Sequence, residues 1–298
     1  MRAFLTGASG FVGGWLARHL REQGDDVAGL EPGRDIGDAG ALRGDLQAAA
    51  PDVVYHLAGL AHVGLSWDEP GETFRVNALG TLNLVEAALA CARPPRIMLI
   101  SSAEVYGRGD GTPLAEDAPL RPVSPYASSK VAAEFVGLQA FLGNGLEVVR
   151  ARPFNHVGPG QADSFVVSAL ARRIAEAERA GGGEVRIGNL TAARDFTDVR
   201  DVVSAYRLLA TAGVPGEVYN VCSGSAITTE ELFRRMVAMA KVPIEPVQDP
   251  SLFRPVDVPV LLGDGTRLTA LTGWRPEIPL DSTLLDTLDY WRERSGAD

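Results

Sequence analysis

Apolar residues in the first half of the chain fall in short runs separated by segments of helical period. The runs at 3–5, 27–30, 53–57, 97–100 and 146–149 are too short for helices and read as buried strands. After the first run, Val12, Leu16 and Leu20 share one helical face, and Gly24 stops that helix. Longer helices are predicted over 73–91 and 126–141, and a short strand just before Asp45 and Leu46. Alternation of this kind predicts a parallel sheet covered by helices on both faces. The second half is less regular. A helix at 165–178 leads to Gly181, Gly182 and Gly183. Short strands, a helix near 229–240, proline-rich connections and a final helix from about Asp281 follow.

The chain has 298 residues, 46% of them apolar, which suits one large or two modest domains. No run approaches the ~18 consecutive apolar residues of a membrane span, so no membrane partner is expected. The N-terminus enters a strand pattern at once, leaving no room for a signal peptide. Cys91 and Cys222 are the only cysteines and match no metal or disulfide spacing, so a reducing cytoplasm is the expected location. His19, His56, His62 and His156 form no metal-ligand spacing either, and no metal is expected. A net charge of −10 without a basic block disfavours nucleic acid as a partner. An acidic protein that binds a phosphorylated substrate must then concentrate a few arginines at its site.

Thr6-Gly7-Ala8-Ser9-Gly10-Phe11-Val12-Gly13 joins the first strand to the first helix. Gly7 permits the tight turn, Gly10 lets the backbone approach a pyrophosphate, and Gly13 lets helix and strand pack closely. The helix then offers unpaired N–H groups and a positive dipole end to the phosphates. A dinucleotide site built from Gly7, Ser9, Gly10, Phe11, Val12 and Gly13 is predicted. Glu31 stands where a carboxylate binds the adenosine ribose hydroxyls and repels a 2′-phosphate, which favours NADH. Arg34 could reach a 2′-phosphate if its loop folds back, so NADPH is the alternative. Asp45 and Leu46 are placed to bracket the adenine, and Leu57, Ala58 and Gly59 to give close backbone approach. Asn77, inside a helix, needs a specific bond for its side chain and joins the cofactor candidates, as does Pro153.

Ser124-Pro125-Tyr126-Ala127-Ser128-Ser129-Lys130 begins a helix, with Ser124 as its cap and Pro125 at its first position. Tyr126 and Lys130, four apart, share one face. A free phenol has a pKa near ~10, and a neighbouring ammonium is expected to lower it. Ser101-Ser102-Ala103-Glu104-Val105-Tyr106-Gly107 follows the strand at 97–100, at the carboxyl edge of the sheet where ligands bind.

Three motifs in this order, each on its expected element, resemble the extended short-chain dehydrogenase/reductase family over essentially the whole chain. The resemblance implies an α/β fold, a Rossmann-type doubly wound parallel sheet over 1–153. A smaller mixed α/β substrate domain would fill 154–298, with a segment near 195–222 returning to the first. It implies a Ser102–Tyr126–Lys130 triad. Ser102 would hold a substrate oxygen, Tyr126 exchange a proton with the alcohol or ketone, and Lys130 also bond the nicotinamide ribose. Glu104 is a further candidate at the sugar; a Glu at the matching place is the general base of GDP-mannose 4,6-dehydratases.

The segments 152–161, 188–201 and 254–259 resemble the GDP-sugar branch of the family. Asn155 would bond the sugar diphosphate, Arg194 and Arg254 would fork onto its phosphates, Asn189 would read the guanine edge, and Asp257 would add a substrate contact. The implied activity is NAD(P)H-dependent reduction of the C4 ketone of GDP-4-keto-6-deoxy-D-mannose to GDP-D-rhamnose. The alternatives are a GDP-mannose 4,6-dehydratase, another nucleotide-sugar epimerase or reductase, and a non-catalytic dinucleotide sensor. Val157-Gly158-Pro159-Gly160-Gln161 stands where the dehydratases usually carry Glu-Ser-Pro-Arg-Arg-Gly, which favours the reductase. His156 is expected to pack against or orient Asn155, and Cys222 to end a buried strand. The resemblance also implies a homodimer formed through the helices at 73–91 and 126–141.

Overall fold

The computed structural model describes residues 1–30, 33–253 and 258–294. Its first half comprises β1 (Arg2–Thr6), α1 (Phe11–Glu22), β2 (Asp26–Gly29), α2 (Ala39–Ala49), β3 (Val53–His56), α3 (Pro70–Phe74), α4 (Gly80–Leu89), β4 (Arg96–Ile100), α5 (Pro125–Asn144) and β5 (Val148–Pro153). A π-helical turn at Arg75–Leu79 joins α3 to α4 without a break. The second half comprises β6 (Asn155–Val157), α6 (Val166–Ala180), β7 (Gly183–Ile187), β8 (Ala193–Asp198), α7 (Val199–Ala212) and β9 (Val218–Val221). It continues through β10 (Ala226–Thr228), α8 (Thr229–Ala238), β11 (Ile244–Gln248), β12 (Val260–Leu261), α9 (Thr266–Thr272) and α10 (Leu280–Arg294).

The main sheet is parallel and six-stranded, ordered β2-β1-β3-β4-β5-β9. Its inner strands are apolar on both faces because helices cover both. On one side Leu16 and Leu20 of α1 and Val202, Tyr206 and Leu209 of α7 pack onto Leu5, Tyr55 and Met98. On the other, Leu42 and Leu46 of α2, Leu84 and Ala88 of α4 and Ala140 of α5 pack onto Phe4, Val54, Ile97 and Leu99. This is the Rossmann-type α/β fold. The last strand, β9, joins the sheet only after the chain has built β6 to β8 elsewhere.

The smaller lobe has β8 at its centre, flanked by β10 and β12 along its first half and paired with β6 along its second, with β7 and β11 as a separate parallel pair. Its core joins α6, α8 and α10 through Leu170, Ile174, Leu232, Met236, Leu284 and Leu288. Asp195, fully buried in β8, accepts from the Ser223 amide and hydroxyl and from the amides of Gly224 and Gly263. One carboxylate thus ties the lobe to the end of β9.

The short strand expected before Asp45 is absent. Ala39–Ala49 is helical, with Asp38 capping it through the Ala41 amide at 2.9 Å. Leu42 and Leu46, four apart, bury one helical face, and this periodicity outweighs the strand reading. Position 45 lies six residues into α2, so the helix carries it ~9 Å from the sheet's carboxyl edge toward the amino edge.

Candidate active site

The glycine motif turns as its chemistry requires. Gly7 has φ +75°, and a Cβ there would meet Ala58 N at 2.8 Å; a Cβ on Gly13 would lie 2.1 Å from the Gly7 carbonyl oxygen. Gly10 precedes α1 without a side-chain cap, and no acidic residue stands in the first turn. The first amides of α1 therefore keep their positive end for an anion. Ser9 and Gly10 are exposed, Phe11 and Val12 half-buried. This cradle fits a dinucleotide pyrophosphate.

Beneath it runs a chain of hydrogen bonds that fixes one imidazole. Thr6 and His56 are register partners in β1 and β3. His56 Nδ1 lies 2.8 Å from the Thr6 hydroxyl and Nε2 lies 2.9 Å from the Thr81 hydroxyl. Thr81 gives its own proton to the Asn77 carbonyl, so it accepts from Nε2–H, and Nδ1 accepts from Thr6. Thr6 in turn accepts the Ala58 amide at 3.1 Å, setting the Leu57-Ala58-Gly59 backbone. Burial, helped by the Lys130 charge, drops the His56 pKa to about 3 and keeps the ring neutral.

Asn77 sits in the π-helical turn, buried, and its specific bonds are visible. Its carboxamide accepts the Leu60 amide at 2.8 Å and donates to the Leu60 carbonyl and the Ser129 hydroxyl. Ser129 passes its proton to the Tyr126 carbonyl, and Ser66 accepts the Tyr126 amide at 3.2 Å. Ser66 and Ser129 thus steady the start of α5, a role that sequence reading missed. Ser129 was inside the motif, but Ser66 lies sixty residues from Tyr126 and left no local signal.

Ser124 caps α5 through the Ala127 amide, and Tyr126 and Lys130 emerge on its buried face. Ser102 opens a short 3₁₀ turn at Ala103–Tyr106 and accepts the Glu104 amide at 3.2 Å. Lys130 Nζ donates to the Ile100 carbonyl at 3.0 Å. The expected lowering of the Tyr126 pKa is not met. Burial dominates and pushes the phenol up to about 12, opposed by a hydrogen bond with Ser102 and reinforced by the Glu104 charge. Burial also brings Lys130 down to about 8, with Glu134 opposing. Tyr126 is therefore poised as a proton donor.

Pro153 ends β5, buried, and Asn155 stands half-buried in β6 opposite Phe196. The His156 ring lies parallel to that of Phe11, 6.4 Å between centroids, so the residue packs the second lobe against the glycine motif. Cys222 is buried just beyond β9. Arg194, buried in β8, donates to the carbonyls of Ala193 and Val258. Asn189 accepts from the Thr191 amide and hydroxyl. Glu31, Arg254 and Asp257 lie outside the described residues. Leu46 is wholly buried in the core, so its side chain does not face a nucleotide, and Asp45 lies 3.5 Å from Arg34. Asp35 and Ile36, in the loop beyond β2, occupy the carboxyl edge that the sequence reading gave to Asp45 and Leu46; Asn83 holds the Ile36 carbonyl there.

The family model for GDP-mannose 4,6-dehydratase matches residues 32–287. GDP-6-deoxy-D-mannose reductase of Pseudomonas aeruginosa is 41% identical, covering 98% of both chains. The structure of the P. aeruginosa protein RMD complexed with NADPH superimposes with a TM-score of 0.90 at 40% identity, covering 98% of this chain and 99% of that one. Thermus thermophilus UDP-glucose 4-epimerase in complex with NAD gives 0.87 at 28% identity, covering 98% and 99%. These likenesses span both lobes, and the chain belongs to the GDP-mannose 4,6-dehydratase family of extended short-chain dehydrogenase/reductases.

Proposed function

We infer that the chain is an NAD(P)H-dependent reductase of GDP-4-keto-6-deoxy-D-mannose, forming GDP-D-rhamnose. The observation that carries this reading is the 41% identity over nearly the full length to a GDP-6-deoxy-D-mannose reductase. The Ser102, Tyr126 and Lys130 geometry agrees with it. Reduced nicotinamide supplies the hydride when bound. Ser102 holds the C4 oxygen, and Tyr126 breaks its O–H bond to protonate that oxygen as the carbonyl carbon is reduced. The Lys130 ammonium offsets the charge that remains on Tyr126. Asn155, Asn189 and Arg194 would hold the GDP group, together with Arg254 and Asp257 as the family resemblance implies.

The test is to incubate the protein with GDP-4-keto-6-deoxymannose and either NADPH or NADH, and identify the sugar by NMR. Oxidation of the cofactor with GDP-D-rhamnose as product supports the reading. Absence of oxidation, or dehydration of GDP-mannose by the same protein, overturns it. Glu104→Gln separates the two chemistries: a mild loss fits the reductase, and a loss equal to that of Tyr126→Phe fits a dehydratase base.

Glu31 favours NADH in this reading, and Arg34, the candidate for a 2′-phosphate, stands 3.5 Å from the Asp45 carboxylate. The enzyme works as a homodimer in this reading. Phe74, Leu79 and Leu82 along the helix through α4, and Phe135 and Leu142 on α5, are large apolar side chains left exposed on two packed helices. Its free thiols, Cys91 and Cys222, suit the cytoplasm, where we place it. Among the described residues no helix is long and apolar enough to cross a membrane.

A further inference from the structure

α5 carries three ionisable side chains at four-residue spacing, Tyr126, Lys130 and Glu134, all buried, and Glu134 has no exposed surface at all. The functional reading uses the first two. Glu134 accepts from the Ser101 hydroxyl at 2.5 Å and from Arg152 Nε and Nη2 at 2.8 and 2.7 Å. Arg150 stands 3.7 Å away. The remaining Arg152 nitrogen donates to the Tyr106 hydroxyl and the Glu116 carbonyl, both at 3.0 Å. Ser101 follows Ile100, whose carbonyl takes the Lys130 proton, and precedes Ser102. Two consecutive residues at the end of β4 thus bond two consecutive turns of α5, immediately beside the triad.

A buried ion pair is a weak device for stability, because desolvation consumes much of its attraction. Its position suggests another use. We propose that Glu134, gripped by Arg152 and Ser101, is a positioning residue that keeps Lys130 charged beneath Tyr126, a role that rests on the reductase reading. The charges around Lys130 give the sign. Tyr126 shares the buried helix face with Lys130, the Glu104 charge bears on Tyr126, the Lys130 charge reaches the neutral His56 ring of β3, and Arg150 and Arg152 of β5 stand against Glu134. Glu134 is the anion that supports the Lys130 ammonium against burial. Without it, three cations share one buried space, and only the lysine can shed its proton, since guanidinium groups stay charged. A neutral Lys130 no longer steadies the phenolate that forms when Tyr126 protonates the C4 oxygen.

The sequence makes this directly measurable, because Lys130 and Lys241 are its only lysines. Lysine labelled with ¹³C at Cε gives two resonances, and Lys241→Arg assigns them. Lys130 is expected to titrate near pH 8 in the native chain. Glu134→Gln lowers this by about one pH unit or more, Arg152→Gln raises it, and the double variant, which removes one charge of each sign, returns most of the way. The alkaline limb of kcat with NADPH and GDP-4-keto-6-deoxymannose moves in the same order, with the sugar KM within about twofold. An unmoved Lys130 in Glu134→Gln, or a shift of the same sign in both single variants, overturns the proposal. If Glu134→Gln does not fold, Arg152→Gln and the double variant decide it: a Lys130 value unmoved or lowered in Arg152→Gln is the refuting result. Native turnover with an unmoved Lys130 removes this proposal alone, whereas absence of native turnover removes the functional reading.

Discussion

Burial raises the Tyr126 pKa above that of a free phenol, and the residues around it include ones far away in the chain, Ser66 among them. Its spacing to Lys130 was legible because i and i+4 share a helix face whatever the surroundings. The direction of its pKa was not legible, because desolvation depends on which loops close over the helix. Tyr126→Phe should lower kcat by ~10²–10⁴ while the Kd for NADPH, read by fluorescence titration, stays nearly constant. Full activity in that variant would remove Tyr126 as proton donor. His56 yields a prediction about stability. Its folded pKa, about 3, lies below the unfolded value of ~6.5. Its contribution is therefore complete above pH ~6.5 and lost as pH falls toward 3, because protonated Nδ1 cannot accept from Thr6. Urea midpoints across pH 4–8 should fall more steeply with acid in the native chain than in His56→Asn. Parallel curves would refute the assignment.

At the scale of elements, α1 and α5 announced themselves through caps, glycine spacing and periodicity, whereas α2 did not. The run Ala41-Leu42-Arg43-Gly44-Asp45-Leu46 suits a short strand or a helix, and only the Asp38 cap and the shared burial of Leu42 and Leu46 decide between them. The consequence is testable: Leu46→Ala should cost ~2–5 kcal/mol of unfolding free energy in denaturant while leaving the cofactor KM unchanged. A raised KM at native stability would restore Leu46 to the nucleotide. The middle of the helix from Pro70 to Leu89 was equally opaque. Its π-helical turn aims Asn77 at Leu60 and Ser129, a direction that no 3.6-residue period indicates.

Across the whole molecule, the apolar side chains on the helix through α4 and on α5 predict a dimer. Light scattering should give twice the chain mass of 31.6 kDa, and Phe135→Asp with Leu142→Asp should give the monomer mass. A native monomer at micromolar concentration would dismiss the interface. The return of a segment near 195–222 to the first lobe was implied by the family resemblance, whereas periodicity alone does not give the strand order, because sheet order depends on pairings between distant segments. That threading constrains how the enzyme can be recombined. Since β9 closes the main sheet after an excursion through β6 to β8, a single crossover near residue 153 would deprive the cofactor half of its edge strand and of α7. A chimera that exchanges the smaller lobe with a relative's needs junctions on both sides of the α7–β9 segment, so that this piece travels with residues 1–153. Evolution of new substrate preferences in this architecture faces the same rule: the lobe can drift residue by residue, but it cannot be replaced as one contiguous cassette.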